Sequence, residues 1–506
     1  MIMMKKLISI VLVCMMILLS LSGCSAKPVS APDDDYRNWY EIFVYSFYDS
    51  NGDGIGDLNG VTEKLDYIAD MSFNGIWLMP IMQSPSYHKY DVADYYTIDS
   101  QYGTNADFQT LVEQAHKRGI RVIIDLPVNH TSSENQWFIA AKDVNSPYHG
   151  WYNWSDKPSV GYHELSDMLY YEGRFQSGMP DLNLESGEVR AEIEKIMDFW
   201  LNDMGADGFR LDACTSYYTD DQQKSVDFLG WLNTEAKTVK PGSFVVGEVW
   251  SVLTTIQTYY RSGVDSLFCF PTANTDGYLA AAVNSSKPEK AASIYCDALT
   301  TLQNSLGDVI ISPFLDNHDL ARSAGFLGTD ETKIKFAAGL LSILPGGTFV
   351  YYGDEIGMKG TGNDPNKRIG MLWTTEDKTT KPPPGATSVK YSFPSVKDQE
   401  KDKNSILNYY KAAMKLRAEC PEIARGTVEI LQSPINSVAI LKKTYNGSSI
   451  YIAINFSSEK QQLTLNSNLG ITKTIGQLSV NGKSTAKIKS AGAQLTLAPY
   501  GILVLD

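Results

Sequence analysis

The sequence predicts an α/β fold: a (β/α)8 barrel with an inserted subdomain after its third strand and a C-terminal antiparallel β-sandwich. Three observations lead there. From Trp39 onward, short apolar runs alternate with amphipathic helical stretches, which is the pattern of a parallel sheet, and eight such runs are enough to close a barrel. Four of the runs deliver acids at their C-terminal ends, the face where a barrel carries its site. After Pro421 the alternation stops, and short strands with turn signals follow.

The eight runs are Trp39 to Phe47, Gly75 to Met79, Ile120 to Leu126, Gly208 to Ala213, Phe244 to Val249, Val264 to Phe270, Val309 to Leu315 and Thr348 to Tyr352. Helical stretches lie at Gly60 to Met71, Asn105 to Lys117, Glu188 to Asp203, Asp220 to Lys237, Glu331 to Leu344 and Asn404 to Glu419. The barrel is expected over residues 36–130 and 188–420. Residues 131–187 form a connection too long for a plain loop, rich in Tyr, Trp, Gly, Ser and Pro, and read as a subdomain beside the site. Residues 421–506 form the β domain, with Asn446-Gly447 and Asn481-Gly482 as hairpin turns.

The first residues address the chain rather than fold it. Lys5 and Lys6 precede an apolar run from Leu7 to Leu21, shorter than a retained membrane span, so residues 1–23 read as a signal peptide. Leu21-Ser22-Gly23-Cys24 resembles the bacterial lipoprotein box, which implies a lipid on Cys24 and a tether over residues 24–35. The expectation is an exported protein, held at the bacterial surface by a lipid anchor, with full secretion as the alternative.

The composition suits an exported globular protein. A net charge of −14 argues against nucleic acid or an anionic membrane surface as a partner. Twenty-nine tyrosines and nine tryptophans exceed ordinary use, and aromatic faces hold sugar rings as well as cores. Cys214, Cys269, Cys296 and Cys420 lack metal-ligand spacing; Cys214 reads as a buried thiol, and a disulfide among the others stays open.

The chemistry begins with Gly208-Phe209-Arg210-Leu211-Asp212. Arg210 and Asp212 stand two apart in a strand and point to one side, a costly arrangement unless paired and used. Taken alone it is equally a structural salt bridge. Gly247-Glu248-Val249-Trp250, Phe314-Leu315-Asp316-Asn317-His318-Asp319 and Asp125-Leu126-Pro127-Val128-Asn129-His130 repeat the pattern at three more strand ends.

In that order the four motifs resemble the α-amylase family, glycoside hydrolase family 13, over nearly all of the chain from Trp39 to Asp506. The resemblance implies a retaining hydrolase of α-1,4 bonds in starch or maltooligosaccharides, acting as a monomer, with Asp212 as nucleophile, Glu248 as general acid/base and Asp319 as the third acid. Retention needs one ionised and one protonated carboxyl about 5–5.5 Å apart. Arg210 is expected to hold Asp212 ionised, and partial desolvation between Val246 and Trp250 to raise Glu248. His130 and His318 resemble the family's sugar-hydroxyl ligands. Tyr87-His88-Lys89-Tyr90-Asp91 resembles the motif after the second strand, with Tyr90 under the sugar and His88 and Asp91 beside it. Tyr351-Tyr352-Gly353-Asp354-Glu355 matches the eighth-strand motif, and Arg368 is expected to pair with a site carboxylate such as Asp91.

Asp49-Ser50-Asn51-Gly52-Asp53-Gly54-Ile55-Gly56-Asp57 places oxygens on alternate residues, the chemistry of a calcium loop, although Gly60 at the twelfth position excludes an EF-hand. Asp49, Asn51, Asp53, the Ile55 carbonyl and Asp57 are the expected ligands of one structural Ca2+; the alternative is an Asp/Gly turn without metal. The chain departs from the family pattern after the nucleophile, where Ala213-Cys214-Thr215-Ser216-Tyr217 lacks the common Lys-His pair. Met179-Pro180-Asp181-Leu182-Asn183 is intermediate between the oligo-1,6-glucosidase and neopullulanase branches. The rival uses of the same machinery are those of an oligo-1,6-glucosidase, a neopullulanase or a transglycosylating enzyme. A non-catalytic sugar-binding lipoprotein is the rival from another class, and its signature, a missing acid, is absent.

Overall fold

A computed structural model describes residues 35–375 and 380–506. The signal peptide, Cys24 and residues 24–34 of the tether lie outside the described residues. All eight expected barrel strands form: β1 (Asn38–Ile42), β2 (Gly75–Leu78), β3 (Arg121–Leu126), β4 (Gly208–Leu211), β5 (Phe244–Gly247), β6 (Ser266–Phe268), β7 (Ile310–Ser312) and β8 (Thr348–Tyr351). They pair in parallel in the order β7-β6-β5-β4-β3-β2-β1-β8. Gly347 N–H donates to the Ile311 carbonyl at 2.8 Å and Phe349 N–H to that of Pro313 at 3.0 Å, which joins β8 to β7.

The strands are shorter than the apolar runs that predict them. The first run, for example, turns at Val44–Ser46 into a 3-10 helix. Each run supplies a ladder segment and then a polar tip released from it, and that release is what creates the site. One close approach fixes a residue type: Gly208 has φ 150°, and a Cβ there would stand 1.8 Å from the Phe244 carbonyl oxygen of β5. The inside of the barrel is plugged by Trp39, Trp77, Phe244, Val246, Phe268 and Phe349. Trp39 stacks on Phe244 at 5.0 Å and on Phe349 at 5.5 Å. This dry aromatic layer closes the floor beneath the polar strand tips.

Two helical expectations need correction. Gly60 to Met71 is two helices, Leu58–Glu63 and Leu65–Asp70, meeting at Lys64. The 19-residue helix Pro288–Leu306 was not anticipated, although Pro at its first turn and buried Ala291, Tyr295, Leu299, Leu302 and Leu306 give it an apolar stripe.

Between β3 and the helix Gly187–Asp198 the chain folds the helix Gln136–Ala141 and a small antiparallel sheet of Trp154–Ser155, Leu169–Glu172 and Tyr162–Ser166. His130 pairs with Asp181 through an isolated bridge, so this insertion leans on the tip of β3. After the barrel, a five-stranded and a three-stranded antiparallel sheet enclose Val438, Ile440, Leu463, Leu495 and Leu503. Asn446-Gly447 is the expected hairpin turn, with φ 49° and 79° between Tyr445 and Ser448. Asn481-Gly482 is not one. It links Thr474–Leu478 in the larger sheet to Thr485–Lys489 in the smaller, because each strand finds its partner elsewhere. The four described cysteines are free, and Cys214 is buried as expected.

Candidate active site

Arg210 is the hub. Its position on β4 aims a fully buried guanidinium up the barrel axis, packed over the Trp77 ring at 5.1 Å. Nη1 donates to Asp125 at 2.9 and 3.0 Å, and to Asp212 at 2.7 Å. Nη2 contacts Glu248. One planar cation thus touches acids delivered by β3, β4 and β5. Arginine's fork of donors suits this, and no lysine could span the three. Asp212 ends its strand where Ala213 turns into the left-handed region at φ 44° and ψ 47°. That conformation costs about 1 kcal/mol or more for a residue with a Cβ.

Glu248 is 6% exposed. The slot expected between Val246 and Trp250 is only half realised. Val246 belongs to the barrel plug, but Trp250 is 52% exposed and stacks outward on Phe270 at 5.3 Å. Arg210 and the barrel wall, not Trp250, surround the carboxyl.

The third acid is held separately. Asp319 accepts from Arg368 Nη2 at 2.8 Å and lies 3.0 Å from His318 Nε2. His318 and Arg368 keep its carboxyl far below the ordinary range despite burial. Arg368 therefore does pair with a site carboxylate, but not with Asp91. Asp91 instead accepts from the hydroxyls of Ser84, at 2.8 Å, and Ser86. The path of the loop after β8 decides this, and residue types alone do not reveal it.

Tyr90 is nearly buried, stacked on His318 at 5.6 Å, and its hydroxyl donates to Asp125 at 3.0 Å. His88 lies beside it, with Nδ1 at 3.1 Å from Ser86 Oγ. Lys89 anchors this loop from beneath through a buried pair with Asp99 at 2.9 Å. His130 is buried, and neither ring nitrogen has a hydrogen-bond partner. Burial lowers its basicity, so a neutral ring is left with a donor and an acceptor to offer a ligand. Such an orphaned pair can bind a polar ligand.

Two acids escaped the sequence reading as site residues. Asp125 lies at the centre of the cluster, where burial pushes it up to about 7 against the pull of Arg210. Glu41, inside β1, sits 2.6 Å from His318 Nδ1. The second signal was present: an acid inside an otherwise apolar strand run is the same anomaly that marked Asp212. Asp181, in the segment Met179-Pro180-Asp181-Leu182-Asn183, accepts from Asn129 Nδ2 at 3.2 Å, and burial and Glu172 raise it to about 7.

The glycine-rich loop stands apart from the acids. Asp49 accepts from the amides of Asn51, Gly52 and Gly54, Asn51 from Asp53, and Asp53 from Ile55. Asp57 binds Ser50 and caps the helix Leu58–Glu63 through Gly60 N–H at 2.6 Å. Among the described residues, no three His, Cys, Asp or Glu side chains are gathered as a metal cluster. The oxygens keep further lone pairs beyond these bonds, so the donor set has the hardness a calcium ion takes.

The chain is similar to known proteins over most of its length. The family described as alpha amylase, catalytic domain, matches residues 41–426. "Alpha-amylase 3" of Dictyoglomus thermophilum is 36% identical over 486 residues, covering 93% of each chain. A 4-alpha-glucanotransferase of Thermotoga maritima is 30% identical over 78% of this chain and 89% of its own. Among solved structures, Amy13B of Eubacterium rectale superposes with a TM-score of 0.88 at 40% identity, covering 94% of this chain and 96% of that one.

Proposed function

The chain belongs to the α-amylase family of glycoside hydrolases and transferases, and on that premise we propose that it is a retaining α-glucan hydrolase that cleaves α-1,4 bonds in starch or maltooligosaccharides. The observation that carries the reading is the single guanidinium of Arg210 shared by Asp212 and Glu248. Two carboxyls on one guanidinium stand close together, which suits the short separation of a retaining pair, about 5–5.5 Å, better than the roughly 6.5–9.5 Å gap that admits a water.

In the proposed reaction Asp212 attacks the anomeric carbon while Glu248 gives its proton to the departing glycosidic oxygen. The bond to that oxygen breaks, and a glycosyl ester forms on Asp212. Glu248 then takes a proton from water, whose oxygen displaces Asp212 and restores both acids. Positive charge on the sugar ring in each transition state meets the surrounding carboxylates, including Asp319. His130, His318 and Arg368 hold sugar hydroxyls, Tyr90 lies under the ring, and His88 and Asp91 shape its rim. A product time course on maltoheptaose and pullulan tests this: short maltooligosaccharides released from maltoheptaose support it. Maltotriose as the main product, from pullulan alone, would replace the α-1,4 preference, because cutting the α-1,6 bonds of pullulan leaves maltotriose.

A second use of the site is favoured by Trp250. Glu248 stands on the leaving-group side, and two residues on an exposed indole braced by Phe270 offers a flat face to an acceptor sugar. Trp250→Ala is expected to lower the ratio of transfer to hydrolysis products by about 5-fold or more, since stacking is worth about 1 kcal/mol or more. Chromatography of products at high maltotriose measures it.

The first loop is proposed to hold one structural Ca2+ through Asp49, Asn51, Asp53, the Ile55 carbonyl and Asp57. Chelation is expected to lower the melting temperature while leaving initial kcat at 25 °C within about 2-fold, because a ligand of the folded state stabilises by mass action. Calorimetry with and without EDTA checks this. Export and a lipid anchor on Cys24 complete the proposal, resting on the sequence pattern, and mass spectrometry of the mature N-terminus tests them.

A further inference from the structure

Glu41 has no part in the reaction above, yet it is 1% exposed in the wall of the barrel. A buried carboxyl is costly unless its charge is matched. Its partner is His318, from a loop 277 positions away: Oε1 lies 2.6 Å from Nδ1 and also accepts the backbone N–H of His318 at 3.4 Å. Burial raises the Glu41 carboxyl against the pull of His318 and Arg210, and with a proton on Nδ1 its Oε1 accepts from both N–H groups.

The opposite edge of the ring is equally informative. Tyr90 has one hydroxyl proton, and it is given to Asp125. The Tyr90 oxygen also lies 2.7 Å from His318 Nε2, and with its proton on Asp125 it can only accept there. Asp319 Oδ2, at 3.0 Å, is an acceptor as well. Both ring nitrogens thus point at acceptors, and a neutral imidazole would leave one lone pair against an oxygen. The imidazolium, with a proton on each nitrogen, satisfies all of these contacts.

We propose that Glu41 is a positioning residue, which holds the His318 ring as an imidazolium that fixes Asp319 and presents Nε2–H toward a sugar hydroxyl. The inference rests on the reading of His318 and Asp319 as sugar-contacting groups. The charges facing the ring come from every element around it: Glu41 on β1, Asp125 on β3, Arg210 on β4 and Asp319 beside it. Tyr90 stacks on it, and Arg368 Nε donates to the His318 carbonyl at 3.1 Å. Burial alone would depress the ring, but Asp319 and Glu41 outweigh it and raise it to about 9.

Glu41→Gln keeps the shape and an acceptor but removes the charge. The expected result is an alkaline loss of kcat/KM that adds to the one from deprotonation of Glu248 and sets in from the ordinary histidine range of about 6.5 rather than from near 9. At pH 8 kcat/KM should fall about 10-fold or more, while at pH 6, where the ring is protonated either way, it stays within about 3-fold. Glu41→Asp keeps the charge, so its limb should remain near the wild-type position even if its rate drops. Ring NMR of the six histidines supplies a direct reading, with His318 titrating near 9 in the wild type and lower in the glutamine variant. A Glu41→Gln profile that superimposes on wild type, or is scaled equally at all pH values, overturns the proposal. Asp212→Asn, assayed beside it, separates the two readings: if it is dead the site reading stands while Glu41 is judged alone, and if it is active both fall.

Discussion

Replacing Asp212 by asparagine is expected to lower kcat on maltoheptaose by on the order of 10⁴-fold, about 5.5 kcal/mol of barrel-site transition-state stabilisation. The amide keeps the contact with Arg210 Nη1 in shape but cannot attack the anomeric carbon. The fold should survive, because Asp212 lies at a strand tip with part of its side chain exposed and Arg210 keeps Asp125 and Glu248 as partners. KM should change far less than kcat, since sugar hydroxyls are held by other groups. Stopped assays on maltoheptaose, with circular dichroism to verify folding, measure both. Activity within 10-fold of wild type would remove Asp212 from the nucleophile's role.

Arg210→Met should fail in a different way, through stability as well as rate. It leaves Asp125, Asp212 and Glu248 in a buried cluster with their shared cation gone. Removing one partner of a buried ion pair typically costs about 3–5 kcal/mol. The loss should depend on pH. Without Arg210 the folded carboxyls take up protons more readily than in the unfolded chain. An acid raised in the folded state loses stability as pH rises from its ordinary range to its folded value. Asp125 stands at about 7 even with Arg210 present. The variant should therefore be closest to wild type near pH 5 and most destabilised above pH 7. Denaturant titrations at the two pH values check this, and an equal loss at both would contradict the electrostatic account.

The fold was legible where pattern and chemistry act locally. Each of the eight strands came from a short apolar run, and the acids at their tips were visible because a charge breaks such a run. What stayed hidden was which charge meets which. Arg368 reaches Asp319 across 49 positions and His318 reaches Glu41 across 277, separations along which composition carries no signal. Asn481-Gly482 shows the same limit in the β domain: the dipeptide specifies a turn but not which strands it joins. The helix Pro288–Leu306 was missed for another reason. Its apolar stripe is present in the sequence; what the sequence does not show is where the stripe packs, which is on the helix Tyr278–Val283 and on the β-domain strands Thr427–Leu431 and Val438–Tyr445.

The measurement that bears most directly on the central claim is capture of the glycosyl ester. Glu248→Gln, mixed with α-maltosyl fluoride, retains the nucleophile and a leaving group that needs no proton, but it lacks the base that would activate water. Mass spectrometry of the quenched, digested protein should find a maltosyl adduct on the peptide bearing Asp212. No adduct while fluoride is released with inversion, or an adduct on another carboxylate, would contradict a double displacement through Asp212.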